Sequence, residues 1–276
     1  MTGIDPSFYH SLAYLEMAGA EAWSNPVYTW VTLEGWIMFP PLLLSGLGIV
    51  GEGRYFPKGD IWCNDLDNNY VGSGAWHPEL LDHEYIFDPA EFNRMDGGKW
   101  NTFRKNVRKW PRENPEWIYT DDLIAWDPLP PLMGEWLEDR AADTEDAELM
   151  LKMVFSAHHG MGKKFMYNGK QTPGNSYGDL VGVNVWDMSY KYVNYRLCIA
   201  KPGERFLDEF MRYQFYKDEW LWLSGKKVND GGSLGREGLE RFKDKMNPLE
   251  KRKRYSLKKV IHYVNQTENG EIKSHS

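Results

Sequence analysis

The segment that most constrains how this chain can fold is residues 97–117, GGKWNTFRKNVRKWPRENPEW. Four apolar residues follow one another in it at spacings of three, four and three: Trp100, Phe103, Val107 and Trp110. These spacings place the four side chains on one face of a helix. Six lysines and arginines occupy the other faces, and Pro111 is expected to end the run. The pattern therefore predicts a helix over residues 99–112 with one apolar face and one basic surface.

The positive charge of this helix is unusual because the whole chain has a formal net charge of -7. One interpretation is that Lys99, Arg104 and Arg108 contact phosphate groups, which makes tRNA or DNA the expected partner of helix 99–112. The alternative is a solvated helix whose charges pair with an acidic helix at residues 135–148. The sequence leaves both interpretations open.

Length and composition favour a folded protein with a large core. The chain has 276 residues, of which 15% are aromatic. Its two cysteines, Cys63 and Cys198, form neither a disulfide framework nor a metal-binding spacing, so no metal site is expected. The longest apolar stretch, Trp36–Val50, is interrupted by prolines and glycines and is too short to span a bilayer. We therefore expect a cytoplasmic protein without a membrane span.

The second half of the chain alternates between helix and strand patterns. Strands are predicted in FMYNGK, GDLVGVNVWDM, YVNYRLCIA and KKVNDGG, and helices in KPGERFLDEFMRYQFY and SLGREGLERFKDKM. A second helix is predicted over residues 132–158. In HEYIFDPAEFNRM, a strand leads into a helix with Asp88 as the N-cap and Pro89 at its first position. This order predicts an α/β fold with a mixed sheet.

Two segments resemble the phosphatidylglycerol lysyltransferase C-terminal (DUF2156) family of the GCN5-related acyltransferase superfamily. The first segment carries the family's pattern of a glycine followed by a basic helix: Gly98, Lys99, Arg104, Lys105, Asn106, Val107, Lys109 and Trp110. The second carries its closing pattern: Asn229, Leu234, Gly235, Gly238, Leu239, Phe242, Lys243, Lys245, Pro248, Arg254 and Tyr255. The strand GDLVGVNVWDM is also similar to the central strand of these acyltransferases.

The resemblance implies two fused GNAT-like halves. Residues 1–95 would form a degenerate N-terminal half, residues 96–260 the acyltransferase half, and residues 261–276 a flexible tail. It also implies transfer of an acyl group from an activated donor, aminoacyl-tRNA or acyl-CoA, to an amine or hydroxyl group. FemX-like peptide aminoacyltransferases and aminoacyl-tRNA–protein transferases share this fold, which widens the choice of acceptor.

The chain departs from the superfamily pattern where acetyl-CoA enzymes bind pyrophosphate through a glycine-rich loop. The corresponding segment, AKPGERFLDEF, has a single glycine, Gly203, with Lys201 and Arg205 as the cations that would compensate. The family pattern also places Lys243 and Lys245 near the donor, although both are equally typical of a helix C-terminus. Either the pyrophosphate is held differently here or the donor is not CoA.

Acyl transfer to an amine or hydroxyl requires a proton acceptor, and carboxylates are suitable. Asp230, beside Asn229, follows a strand expected to border the cleft, and Asp187 ends another. The alternatives are structural, because Asp230 could cap the next helix and Asp187 could begin a turn.

Two other classes of function stay open at this point: a nucleic-acid-binding module without catalysis, and an enzyme that modifies bases in DNA, as some phage members of the superfold do. The donor, the acceptor and the oligomeric state are not defined by the sequence.

Overall fold

The structure is a computed structural model that describes residues 12–17, 21–24, 29–33, 36–38, 61–64, 76–123, 128–139, 147–156, 160–170, 177–189, 191–233 and 235–259. The predicted tail at 261–276 lies outside the described residues. No helix among the described residues has the length and apolar character that a membrane crossing requires.

In the second half of the chain, helices are interspersed with strands, as the sequence predicts for an α/β protein. The strands are β1 Glu21–Ser24, β2 Thr29–Leu33, β3 Trp36–Met38, β4 Ile61–Asn64, β5 Trp76–Phe87, β6 Ile118–Thr120, β7 Met161–Tyr167, β8 Leu180–Met188, β9 Tyr192–Ala200, β10 Lys227–Asn229 and β11 Glu250–Lys259. The helices are α1 Leu12–Met17, α2 Pro89–Arg94, α3 Asn101–Asn106, α4 Trp110–Glu113, α5 Leu129–Asp139, α6 Ala147–Phe155, α7 Leu207–Tyr216, α8 Glu219–Leu223 and α9 Glu237–Lys245. A 3-10 turn, Gly98–Trp100, precedes α3.

The described strands form one mixed sheet in the order β1-β2-β3-β4-β11-β5-β10-β9-β8-β7-β6. Most neighbouring pairs are antiparallel, whereas β3 and β4, and likewise β9 and β10, are parallel. Strand β5 precedes residue 95 in the chain, yet it lies between β10 and β11 in the middle of the sheet. The division into two halves near residue 95 stays a prediction, and any such halves would share this sheet.

Helices cover both faces of the sheet. On one face, α1, α5 and α6 pack on β8, with Val183 and Val185 in their core. On the other face, α7 packs on β8 and β9, and Gly182 lets it approach closely, because a Cβ there would lie 2.2 Å from the Met211 sulfur. These two layers bury the middle strands, so polar side chains on β8, β9 and β10 need partners within the protein.

The apolar stripe of the basic segment is confirmed. Its four residues are buried between α7 and the neighbouring elements: Trp100, Phe103, Val107 and Trp110. The predicted single helix is instead a 3-10 turn followed by α3 and α4, so the prediction that Pro111 ends it was wrong. Pro111 lies in the first turn of α4, where its missing N–H has no intrahelical acceptor to lose.

Other local predictions are also confirmed. The Asp88 side chain accepts a hydrogen bond from the Ala90 amide at 3.0 Å, and Pro89 opens α2. For the helix predicted over residues 132–158, the structure describes two helical segments, α5 and α6, while residues 140–146 and 157–158 lie outside the described residues.

Candidate active site

The central feature of the sheet is a gap where two parallel strands separate. Strands β9 and β10 pair at only three positions, the last of which joins Asn229 to Asn194. Strand β10 ends there, whereas β9 continues to Ala200. Along residues 195–200, alternate backbone N–H and C=O groups of β9 therefore face the gap instead of a described strand.

A β-bulge lies at the start of this gap. Trp186 of β8 pairs with Tyr195, and Val185 pairs with Leu197, so Arg196 is the extra residue of β9. A bulge interrupts the regular ladder and changes the direction of the neighbouring backbone groups. The open edge and the bulge together place peptide groups of β9 next to polar side chains.

On one face of the sheet, the bulge is held by a buried ion pair. Asp187 accepts a hydrogen bond from Arg196 Nε at 2.6 Å and another from Asn194 Nδ2 at 2.7 Å. The exposed fractions are 0% for Asp187 and 8% for Arg196. The guanidinium also lies over the ring of Tyr14, 4.4 Å from its centroid. Asp187 is thus part of β8 and its contacts fix the bulge. Its predicted role as a base stays a prediction.

The same face continues across β10 and β5. Asn229 donates from Nδ2 to Glu84 Oε2 at 2.9 Å, and its Oδ1 accepts from the Gly231 amide at 3.0 Å. Glu84 in turn accepts from Arg252 at 3.1 Å. All three side chains are buried, with exposed fractions of 2% or less. Glu84 and Arg252 were missed by the sequence reasoning, because a charged residue in an alternating strand pattern is usually exposed.

On the opposite face, Asp230 forms a second buried cluster. Its carboxylate accepts from Arg212, from the Tyr216 hydroxyl at 3.0 Å, and from Lys243 at 3.2 Å. Asp230 therefore does not cap a helix, and the N-cap of α9 is Arg236. The exposed fraction of Asp230 is 4%. The carboxylate fixes the end of β10, and its predicted role as a proton acceptor also stays a prediction.

Arg212 extends from α7 to the end of β10 on this face. Its guanidinium lies between two aromatic rings, 4.7 Å from the centroid of Tyr195 and 5.4 Å from that of Phe242. It also forms an ion pair with Asp230. The cation thus bridges the two strands that border the gap. No sequence motif identified Arg212, because its partners lie on three different elements.

The family pattern predicts that Lys243 and Lys245 both lie near the donor, but the two residues have different environments in the structure. The Lys243 ammonium is buried and donates to the carbonyl oxygens of Asp230, of Gly231 at 3.2 Å and of Gly232 at 2.8 Å. Burial lowers the pKa of Lys243, and the nearby Asp230 carboxylate acts in the opposite direction. Lys245 is exposed. Only Lys243 therefore lies at the gap, where it orders the turn after β10.

The predicted phosphate-binding cations of the 3-10 turn and α3 have structural contacts of their own. Arg104 donates to the carbonyl oxygen of Met95 and to that of Gly97 at 3.1 Å, which holds the turn before the 3-10 segment. Lys99 lies 3.8 Å from Glu91. Arg108 is exposed. None of the described contacts of these three residues reaches 229–233, and binding of phosphate by them stays a prediction.

The loop between β9 and α7 carries the other predicted donor-binding residues. Gly203 adopts a φ of 84° in an exposed turn, a conformation that favours glycine. Arg205 is exposed, and Lys201 lines a cavity of about 250 Å³ together with apolar and acidic side chains: Pro128, Pro131, Leu132, Glu135, Asp179 and Leu180. Glu204 accepts a hydrogen bond from Trp110 Nε1 at 2.8 Å.

Glu209, in the first turn of α7, makes folding stability depend on pH. Burial, followed by the hydrogen bond and charge of Asp208, raises the pKa of Glu209 to about 8. The unfolded chain releases this proton near pH 4.3. The native state therefore binds the proton more tightly, and the stability it provides is complete at low pH and is lost as the pH rises through about 8.

We expect Glu209→Gln to melt at nearly the same temperature as the parent at pH 5 and at a higher temperature at pH 9. The amide mimics the protonated carboxyl, so the variant does not lose this stability as the pH rises. Thermal unfolding followed by circular dichroism at both pH values measures the difference. An equal difference in Tm at pH 5 and pH 9 would contradict this explanation.

Thiol and metal chemistry receive no support from the described residues. Burial raises the pKa of Cys198 to about 11, so its nucleophilic thiolate is scarce at neutral pH. Among the described residues, no group of three or more histidines, cysteines, aspartates or glutamates is placed to hold a metal ion.

Several solved structures share this fold at low sequence identity. A conserved protein of unknown function from Bacteroides thetaiotaomicron is 12% identical, with a TM-score of 0.66 and 93% of each chain covered. The DUF2156 domain of a protein assigned as a lysylphosphatidylglycerol synthetase, from Agrobacterium fabrum, is 12% identical, with a TM-score of 0.59, and the match covers 89% of this chain and 85% of that one. L-PGS from Bacillus licheniformis is 13% identical, with a TM-score of 0.60 and 94% of each chain covered.

These similarities confirm the predicted fold, a GNAT-like mixed sheet flanked by helices. No family model matches the chain, and no curated protein sequence matches it. The resemblance to the DUF2156 family is therefore supported at the level of the fold, and membership of that family stays a prediction.

Proposed function

We propose that this protein transfers an acyl or aminoacyl group from an activated ester or thioester donor to an amine or hydroxyl acceptor. The observation that carries the proposal is the gap between the parallel strands β9 and β10, with a bulge at Arg196 on its border. Such a gap can admit an extended donor whose carbonyl group lies against backbone N–H groups of β9. Two proteins of the same fold have names that refer to lysylphosphatidylglycerol synthesis, which is compatible with aminoacyl transfer.

The proposed reaction is a direct attack by the acceptor on the donor carbonyl. Backbone N–H groups of β9 beside the bulge would stabilise the negative charge that develops on the carbonyl oxygen. The acceptor nucleophile would lose its proton, and the donor's leaving oxygen or sulfur would gain one. The buried clusters of Asp187 and Asp230 would hold the backbone in the required geometry.

The start of α7 supports a donor other than acetyl-CoA. A helix N-terminus attracts pyrophosphate through its free N–H groups and its dipole. Here the first turn of α7 contains Asp208 and Glu209, and Pro202 in the preceding loop has no N–H to donate. Phe206, the N-cap residue, has a left-handed backbone conformation and lies under the Lys109 ammonium, 3.7 Å from its ring centroid. The usual pyrophosphate position is therefore acidic and partly covered.

The bridge formed by Arg212 supports the same conclusion. Its guanidinium connects α7 to Asp230 across the gap and is packed between Tyr195 and Phe242. A pantetheine chain threaded along this path would have to displace a buried ion pair, at a cost of several kcal/mol. An aminoacyl ester delivered to the edge of β9 requires no such displacement. Our proposal is therefore that the donor is an aminoacyl ester of RNA.

We expect acetyl-CoA to bind with a Kd weaker than about 1 mM, because the pyrophosphate position is acidic and the path of the pantetheine is blocked. Isothermal titration calorimetry measures this affinity. Transfer is measured in parallel with radiolabelled aminoacyl-tRNA and radiolabelled acetyl-CoA as donors, each with phosphatidylglycerol vesicles and a lysine-containing peptide as acceptors. Label should move only from aminoacyl-tRNA. A low-micromolar Kd for acetyl-CoA, with competition by CoA, would overturn the choice of donor, and absence of transfer from both donors would count against the proposed function.

A further inference from the structure

We propose that α3, α4 and the β9–α7 loop form one binding surface for the phosphodiester backbone of a polynucleotide. The surface consists of five cations and one aromatic residue: Lys105, Arg108, Lys109, Arg112, Arg205 and Phe206. We call it the basic surface. It deepens the proposed function, because a polynucleotide would be the carrier of the transferred group, but its existence can be measured without any turnover.

The first observation is the spacing of the cations in α3 and α4. Lys105, Arg108, Lys109 and Arg112 follow one another at intervals of three, one and three, so they share one side of the helical segment. The opposite side carries the buried apolar stripe that anchors the segment to the core. A continuous helix from Lys105 to Arg112 would rise about 10 Å, and the turn between α3 and α4 keeps the backbone of Val107 and Lys109 in the right-handed helical region. This length matches the rise of about three nucleotides on one strand.

The second observation is that the β9–α7 loop, nearly a hundred residues further along the chain, is attached to the same segment. The Lys109 ammonium lies 3.7 Å from the centroid of the Phe206 ring, and the Arg205 guanidinium lies 5.4 Å from it. The bond from Trp110 to Glu204 and a bond from Asn106 to Glu209 at 3.3 Å also connect the two segments. Arg205 is thereby added to the stripe of α3 and α4.

The third observation is that the carboxylates of the described residues do not neutralise these charges. Among the described residues, none of the five cations has a carboxylate within ion-pair distance, whereas Lys99 and Arg212 do. No cation of the basic surface pairs with the described residues of 135–148, which was the alternative explanation of the basic helix. Residues 99–112 contain six cations and no acidic residue. A chain with a net charge of -7 therefore keeps a local positive surface.

Acidic residues border the basic surface, but hydrogen bonds within the protein reduce their repulsion of a bound anion. Glu204 is directed toward the indole N–H of Trp110. Glu209 is half-buried and accepts a hydrogen bond from Asn106 Nδ2 at 3.3 Å. Four of the five cations are exposed, and Lys109 is half-buried. An exposed stripe of this kind contacts successive phosphates of a polymer better than it encloses a small ligand.

The test is fluorescence anisotropy with labelled probes: an unacylated tRNA, a 20-nucleotide single-stranded DNA and a 20-base-pair DNA duplex, each in 50–300 mM KCl. The triple variant Lys105→Glu, Arg108→Glu, Arg112→Glu is expected to bind about 10²–10³-fold more weakly at 50 mM KCl. The slope of its log Kd against log[KCl] should be smaller by the amount that corresponds to about two to three fewer phosphate contacts. The matched control, Lys217→Glu, Lys245→Glu, Lys253→Glu, has the same net charge and changes exposed lysines elsewhere. It should weaken binding less than tenfold.

The outcomes separate the possibilities. Preferential binding of tRNA would identify an RNA carrier, and preferential binding of either DNA would identify a DNA target. The proposal is overturned if the parent binds no probe with a Kd below about 100 μM at 50 mM KCl, or if the two triple variants lose affinity equally. A single Arg108→Ala variant, with a smaller change of charge, should weaken binding about tenfold or less. Transfer without polynucleotide binding would contradict this surface alone, and binding without transfer would contradict the proposed function alone.

Discussion

Replacing Arg196 by methionine is expected to lower the free energy of unfolding by about 3–5 kcal/mol. The substitution keeps much of the side-chain volume but leaves the Asp187 carboxylate buried without its guanidinium partner, which lies at 2.6 Å in the parent. The contact of the guanidinium with the Tyr14 ring is lost as well. Urea unfolding followed by tryptophan fluorescence measures the change.

The double variant Asp187→Asn, Arg196→Met serves as the control for the ion pair. An asparagine at position 187 removes the buried charge and can still accept the hydrogen bond from Asn194. If the unpaired carboxylate causes the loss, the double variant should be more stable than Arg196→Met alone. A double variant that is as unstable as the sum of the two single changes would show that the charges act independently.

The two buried clusters explain why a gap can persist in the centre of the sheet. Strand separation exposes backbone groups and would normally be closed by pairing or by apolar packing. Here Arg196 and Asp187 hold β9 to β8 on one face, while Arg212 and Lys243 hold the end of β10 on the other. Both strands are therefore fixed independently of each other. A fixed gap is what a reaction that depends on positioning of the donor carbonyl requires.

Much of this architecture could be predicted from local sequence patterns. The strand YVNYRLCIA corresponds residue for residue to β9, because its run of aromatic and branched residues contains no turn signal. The 3–4–3 spacing identified the buried side of the basic segment, and Asp88 followed by Pro89 identified the start of α2. Each of these signals depends on residues within one element.

The polar core of the site could not be predicted in this way. Glu84 bonds to Asn229, which is 145 residues away in the sequence, and to Arg252, which is 168 residues away. The sequence does not show that three charged or polar side chains meet, since each alone is typical of a surface position. Similarly, the convergence of the β9–α7 loop with α4 depends on tertiary packing, although Arg108 and Arg205 had been predicted separately to bind phosphate.

The two lysines at the end of α9, Lys243 and Lys245, are expected to differ strongly in their effects on stability and on the transfer rate. Lys243→Met should lower the free energy of unfolding by about 3–5 kcal/mol. It removes the buried cation that contacts Asp230 and that donates to the carbonyl oxygens of residues 230–232. Because this turn fixes the end of β10, folded Lys243→Met should also lose roughly 10²-fold in transfer rate.

Lys245→Met is the matched control, since it makes the same chemical change two residues away at an exposed position. Its free energy of unfolding should change by less than about 0.5 kcal/mol, and its transfer rate should be unaffected. Urea unfolding and hydrogen exchange of the amides of residues 229–233 measure the structural effect, including in preparations of Lys243→Met too unstable for rate measurements. If both variants were equally stable and protected those amides equally, Lys243 would not order the turn, and the predicted effect on transfer would lose its physical basis.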